Sequence, residues 1–279
     1  MNTPPFAKLW AWIGGGLALT GLVAFTALTP PGVLTMADYV GAAVCHRLPE
    51  HTFHLAGRPL PLCQRCSGMF PGALTGLLVH WGLWRRRRAR GFPRWPLMLA
   101  AGLGAATWVL DGFNSFTSDP RLAGLLPWPE GVGIFGYAPQ PWLRLLTGAL
   151  MGVAMSILLV PAFNQSFWAD AEDVPTVRSW SELAFLNAVV LAMAAIIFLA
   201  RPWLLVPIAL YSAAGVMTLF TLLGAMLFVI VLRRDATLQS WREAWVPCVW
   251  GLVFALAVVG GMNLLRWFAI GTVDGVPGL

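Results

Sequence analysis

Residues 204–232 read LLVPIALYSAAGVMTLFTLLGAMLFVIVL, without one Asp, Glu, Lys, Arg or His. A helix that crosses a bilayer needs about 20 predominantly apolar residues, within a range of about 17–25. This run is long for one span, and Pro207 near its start marks an interfacial first turn or a tilt. Working outward, six further apolar runs lie near 9–28, 67–84, 95–112, 142–162, 181–200 and 245–268. The fold expected is therefore all-α: a polytopic transmembrane bundle of about seven spans. The first run follows Lys8 and ends in TALTPP; at about 20 residues it exceeds the core of a signal peptide, so an uncleaved span is expected.

Composition agrees. Of 279 residues, 58% are hydrophobic and 11% charged, against about 25% charged in an average soluble domain. The net charge of +6 does not point to nucleic acid, because a third of the basic residues sit in one block, RRRRARGFPR at 85–94, between two apolar runs. Such a block is a topology signal, with basic residues held in the cytoplasm. With the N-terminus inside, Lys8, the 85–94 block, Arg178, Arg233, Arg234 and Arg242 all fall inside, while Arg47, Arg58, Arg65 and Arg121 fall outside. Arg144, Arg201 and Arg266 then sit at outer helix ends. A multi-pass cell-membrane protein is expected, with the loop 30–66 between spans one and two extracytoplasmic. The 15 Trp suit interfacial belts.

That loop carries the chemistry. Between Cys45 and Gly68 the chain reads CHRLPEHTFHLAGRPLPLCQRCSG, with three of its four cysteines and three of its four histidines. A Cys-x-x-Cys turn puts two sulfurs on one metal, so Cys63 and Cys66, with Cys45 and a histidine, offer a tetrahedral Cys3His set for a zinc-like ion. Ligands on adjacent residues are strained, which on geometry alone favours His54 over His46 as the fourth; His46 then acts as a base or supports a ligand. Two other readings stand beside this one. Thiols outside the cytoplasm oxidise, so Cys63/Cys66 would serve a membrane thiol–disulfide protein, or Cys45 would close a structural disulfide. Quinone-coupled thiol enzymes use a second cysteine pair, whereas this face has three cysteines, Cys248 lying near the inner end of the last span. A c-type haem is excluded, because Ser67 stands where a histidine is required.

Further polar residues gather at the same face. Asp111 near the end of the third span, with Gly112 offering a helix exit and Asn114 beyond it, is a costly carboxylate unless wet, paired or bound. Arg144 opens the fourth span; its fork would hold Asp111, or a phosphate or carboxylate of a lipid-like ligand. Asp111, Asn114, Arg144 and Arg65 are the candidate catalytic residues, an acid–base carboxylate with an anion-holding cation. Gly68, Gly72 and Gly76 fall four apart, as do Gly148 and Gly152, a stripe for tight helix packing. His80, Glu182 and Asn187 read as helix-to-helix contacts, and Arg85–Arg88 as an anchor on anionic lipid heads.

The pattern Cys45-His46-x-x-Pro49-x-x-Thr52-Phe53, Gly57, Pro61-x-Cys63-x-Arg65-Cys66-x-Gly68 resembles the signature of a bacterial and archaeal membrane family, domain of unknown function 2085. Asp111-Gly112-x-Asn114-Ser115 and Tyr137-x-Pro139-x-x-x-Leu143-Arg144-x-x-Thr147-Gly148 resemble its later blocks. Arg47 replaces a usual Gln and Thr52 a frequent Ser. The resemblance covers about residues 35–160, and it favours His46 over His54 as the fourth ligand, with both kept as candidates. It implies a shared four-span unit, 1–162, and a site; it implies no activity. Residues 163–279 are then a three-span extension. The function expected is a membrane protein with a metal site beside a polar pocket, acting on a lipid-linked substrate, with membrane lipids as its surroundings. The alternatives are a thiol–disulfide protein and a structural or transport protein. Whether it is an enzyme, and its oligomeric state, the sequence leaves open.

Overall fold

The computed structural model describes residues 5–119, 129 and 131–272. Arg121, counted among the outward charges, lies outside the described residues. Eight helices and four short strands make up the described fold: α1 (Pro5–Leu28), α2 (Val33–Ala42), β1 (Thr52–Leu55), β2 (Arg58–Cys63), α3 (Gln64–Leu78), β3 (Ala89–Gly91), α4 (Trp95–Thr117), α5 (Pro141–Phe167), β4 (Glu172–Pro175), α6 (Trp180–Phe198), α7 (Leu205–Val231) and α8 (Trp241–Ile270). Among the described residues, α1, α4, α5, α6, α7 and α8 are long and apolar enough to cross a membrane. The run expected at 67–84 is α3, continued by a π turn at Val79–Leu83. Together they cover residues 64–83, roughly 30 Å at 1.5 Å per residue, the thickness of a hydrocarbon core.

α3 stands at the centre, against α5, α6 and α7, while α4 lies on α5, α7 on α8, and α1 on α8. The glycine stripe explains the central position. A Cβ at Gly68 would lie 2.2 Å from the Leu145 carbonyl oxygen, and one at Gly148 would lie 2.1 Å from that of Arg65. One at Gly152 would meet the Met69 carbonyl oxygen at 2.6 Å. α3 and α5 therefore touch backbone to backbone, an approach that only missing side chains permit. The expected tight pairing of these two helices is what the fold contains.

The loop 30–66 contains regular structure. It holds α2 and the β1–β2 hairpin, whose two-residue turn, Ala56–Gly57, has positive φ at both positions (52° and 75°), as a type I′ turn requires. Gly112 is not a helix exit: α4 continues through it to Thr117. The Arg85–Arg88 run also differs from a free lipid anchor. Arg86 forks onto Glu182, with Nη1 2.8 Å from Oε2, and Arg88 pairs with Asp170, next to a parallel β3–β4 ladder. Glu182 is thus held by Arg86, and Asn187 bonds its own helix at Leu183. His80, fully buried in the π turn, meets Trp84 edge to face with centroids 5.1 Å apart.

Candidate metal centre and its polar frame

The hairpin delivers Cys63. Thr52 pairs with Cys63 across β1 and β2, and α3 begins at once, with Cys63 as its N-cap and Cys66 in its first turn. That turn carries both sulfurs to one side. Cys45 arrives from the end of α2, and its Sγ accepts the Cys63 backbone N–H at 3.1 Å. The three sulfurs lie within 4.8 Å of one another. In a tetrahedron with metal–sulfur bonds of about 2.3 Å the sulfurs stand roughly 3.8 Å apart, so small shifts would suffice for one ion. All three are free thiols, Cys45 and Cys63 buried and Cys66 half-buried.

Two histidines continue the cluster. His46 Nδ1 lies 3.9 Å from Cys45 Sγ, and its Nε2 lies 3.4 Å from His51 Nδ1. An imidazole and a thiolate on one zinc stand roughly 3.6 Å apart. The Cys45 and Cys63 sulfurs raise the His46 pKa to about 10 against the opposing effect of its partial burial. Burial, then the charges of Arg144 and His46, lowers His51 to about 4. Contacts from Cys45 and Cys66 hold the Cys63 thiol well below the ordinary range, although burial opposes them. His54 stands apart: it is exposed on β1, opposite Pro59, with Nδ1 3.1 Å from the Thr52 carbonyl oxygen.

The loop is held from three sides. Asp38 of α2 takes Arg47 at 3.0 Å and Arg58 of β2 at 2.6 Å. Arg266 of α8 donates to the carbonyls of Ala42, Cys45 and His46 at 2.7, 2.6 and 2.9 Å. Arg47 adopts φ 53°, which turns the chain just after the cysteine–histidine pair.

Beside the thiols runs a second network. Asp111 pairs with Arg65, not with Arg144: Arg65 Nη2 lies 2.7 Å from Oδ2 and Nε 3.2 Å. Tyr137 donates its hydroxyl to the other carboxylate oxygen at 3.2 Å. Asn114 donates to the Tyr137 carbonyl at 3.0 Å and accepts the Phe135 N–H at 2.9 Å, so it ties the 131–140 segment to α4. Ser115 takes Arg65 at 2.9 Å and Arg144 at 3.4 Å, and Arg144 Nη1 donates to Gln64 at 3.2 Å. Arg65, Asp111, Asn114 and Arg144 are thus brought into one frame, next to Cys63 through Gln64. Tyr137 sits nearer its surface, its pKa raised by burial and by Asp111.

Sequence reasoning did not single out His51, Gln64, Ser115, Tyr137, Asp38 or Arg266 as site residues. Ser115 and Tyr137 lay inside the quoted motifs and Gln64 inside the Cys-x-x-Cys. Asp38 and Arg266 had as their signal only a charge beside an apolar run.

Residues 45–158 match the family model described as predicted membrane protein (DUF2085), the family its motifs resemble. An uncharacterized protein of Methanothermobacter thermautotrophicus is 49% identical over 35 residues, 12% of this chain and 32% of that protein. An uncharacterized protein of Methanocaldococcus jannaschii is 32% identical over 41 residues, 15% of this chain and 26% of that protein. The matched segments span about a third and a quarter of the length of these relatives. No solved structure matches the chain.

Proposed function

With residues 45–158 matched to that membrane family, we propose that the chain is a multi-pass cell-membrane metalloprotein. Cys45, Cys63, Cys66 and His46 hold one zinc-like ion at the extracytoplasmic face. Arg65, Asp111, Asn114 and Arg144 line an adjoining polar site, whose substrate is a lipid-like molecule reached at the membrane surface. The observation that carries the reading is the convergence, within 4.8 Å, of three sulfurs from two separate segments of chain. His46 is favoured over His54 by its 3.9 Å approach to Cys45, and His51 would accept the proton of its second ring nitrogen.

The orientation rests on the basic block at 85–94. The ion in such a closed set braces the loop and supplies no open coordination position. The chemistry then belongs to the frame. Arg65 and Tyr137 hold the two oxygens of Asp111 in place, and Asn114 secures the segment that carries Tyr137. A carboxylate held in this way is oriented to take or return a proton at its free lone pairs.

One observation favours the thiol–disulfide alternative: Cys63 sits at the N-cap of α3 with a depressed thiol pKa, the setting of reactive thiolates. Metal content and a thiol count on the same detergent-purified sample, with Cys63→Ser beside it, separate the two. About one zinc per chain, lost in the variant, is expected. Absence of metal, with two of the three outer thiols blocked until reductant is added, would replace the metal reading by the redox one.

A further inference from the structure

Cations outnumber carboxylates at this end of the bundle. Asp38 takes both Arg47 and Arg58, and Asp111 takes Arg65. Arg144 is 8% exposed, and no carboxylate lies within ion-pair reach of it among the described residues. Its two hydrogen-bond partners, Ser115 at 3.4 Å and Gln64 at 3.2 Å, are neutral. A guanidinium cannot shed its proton in a protein, and a buried charge without a counter-charge is strongly unfavourable. Glu50, the other acid of the loop, is exposed.

The sulfur cluster is where the balancing charge would come from. Gln64, the residue next to Cys63, accepts from the Arg144 guanidinium at 3.2 Å, while the Asp111 carboxylate of the same frame is already taken by Arg65. Three thiolates and a neutral imidazole around a divalent ion carry one net negative charge. A monovalent ion would leave two. A trivalent ion, or a disulfide beside one protonated thiol, would leave none and strand Arg144.

We propose that Arg144 is the built-in counter-charge of the centre, and that the centre is matched to a divalent ion on three thiolates. This rests on the metal reading above and deepens it: the charge of Arg144 is directed at the metal–thiolate set, not at a substrate anion. Arg144 is then a positioning residue, and its conservative variant should retain the effect.

The test is zinc affinity, measured on the full chain in detergent by competition with a chromophoric chelator. Arg144→Gln should weaken zinc binding about tenfold to a hundredfold, and Arg144→Lys by only a few-fold. Cys66→His removes one negative charge from the set, so the double variant Arg144→Gln/Cys66→His should lose less than the two single losses combined. Additive losses, or a wild-type affinity in Arg144→Gln, would overturn the proposal. Failure of the wild-type chain to bind zinc would instead overturn the metal reading beneath it. If Arg144→Gln does not fold, the comparison of Arg144→Lys with wild type, and of Cys66→His in each of those backgrounds, carries the same cycle.

Discussion

Arg266, near the end of α8, donates to the carbonyl oxygen of Cys45 at 2.6 Å across 221 residues of sequence. The same guanidinium takes the carbonyls of Ala42 and His46, so three acceptors of the cysteine loop depend on one side chain outside the segment matched by the family model. Hydrogen bonds to a charged group contribute about 1.5–3 kcal/mol each when buried and less at an accessible site. Arg266→Gln is therefore expected to destabilise the folded chain by about 2 kcal/mol and to release metal to a chelator faster than wild type. Thermal unfolding in detergent and a chelator time course check both parts.

Asp111 and Arg65 form a largely buried ion pair, with 2% and 17% of their side chains exposed. Removing one partner of such a pair strands the other, at a cost of about 3 kcal/mol or more. Asp111→Asn should show that loss, while Tyr137→Phe, which deletes one neutral donor, should cost about 1 kcal/mol. Unfolding curves of the two variants beside wild type should keep that order; equal losses would mean that Arg65 finds another acceptor.

In the metal-free protein the Cys45 and Cys63 sulfurs raise the His46 pKa to about 10. The proton-bound form then favours the fold. Its contribution is fully present below about 6.5, the ordinary imidazole value, and is lost as pH rises through about 10. Metal binding at neutral pH has to expel this proton, so zinc affinity should rise with pH between those limits. Zinc calorimetry in two buffers of different ionisation enthalpy should count one released proton fewer in His46→Ala than in wild type. An equal count would remove His46 from the ligand set.

The glycines of the central contact are not equivalent to those elsewhere. A Cβ at Gly148 would meet the Arg65 carbonyl oxygen at 2.1 Å, whereas one at Gly102 of α4 meets nothing within 4 Å. Gly148→Ala should cost about 3 kcal/mol or more through overpacking. Gly102→Ala should be neutral or stabilising by up to about 1 kcal/mol through helix propensity. Thermal unfolding of the pair measures the difference.

The bundle was legible because spans announce themselves by apolar length, and the runs at 142–162 and 204–232 reappear as α5 and α7 with ends shifted by a few residues. The α3–α5 contact was legible because glycines four apart have one common use in lipid. Pairing was not. Asp111 and Arg144 looked like partners because both stand at one face, but the Cys-x-x-Cys turn brings Arg65 to Asp111 first. The structure inside the loop was not legible either: α2 and the hairpin are held by Asp38, Arg47, Arg58 and Arg266, whose contacts no local pattern encodes.

The enclosed position of α3 has a consequence for biosynthesis. Ribosomes make this helix well before α5 and α6, the walls that cover its glycine face, so the centre of the molecule emerges ahead of its surroundings. A glycine-lined backbone offers lipid little to pack against. The newborn α3 must be kept at the insertion machinery, or beside α1 and α2, until α5 follows some sixty residues later. The cysteine loop cannot take its final form before the last helix arrives with Arg266. Assembly of the cysteine site is thus a terminal event of translation, and a chain truncated before α8 would present its thiols without the Arg266 clamp on their loop.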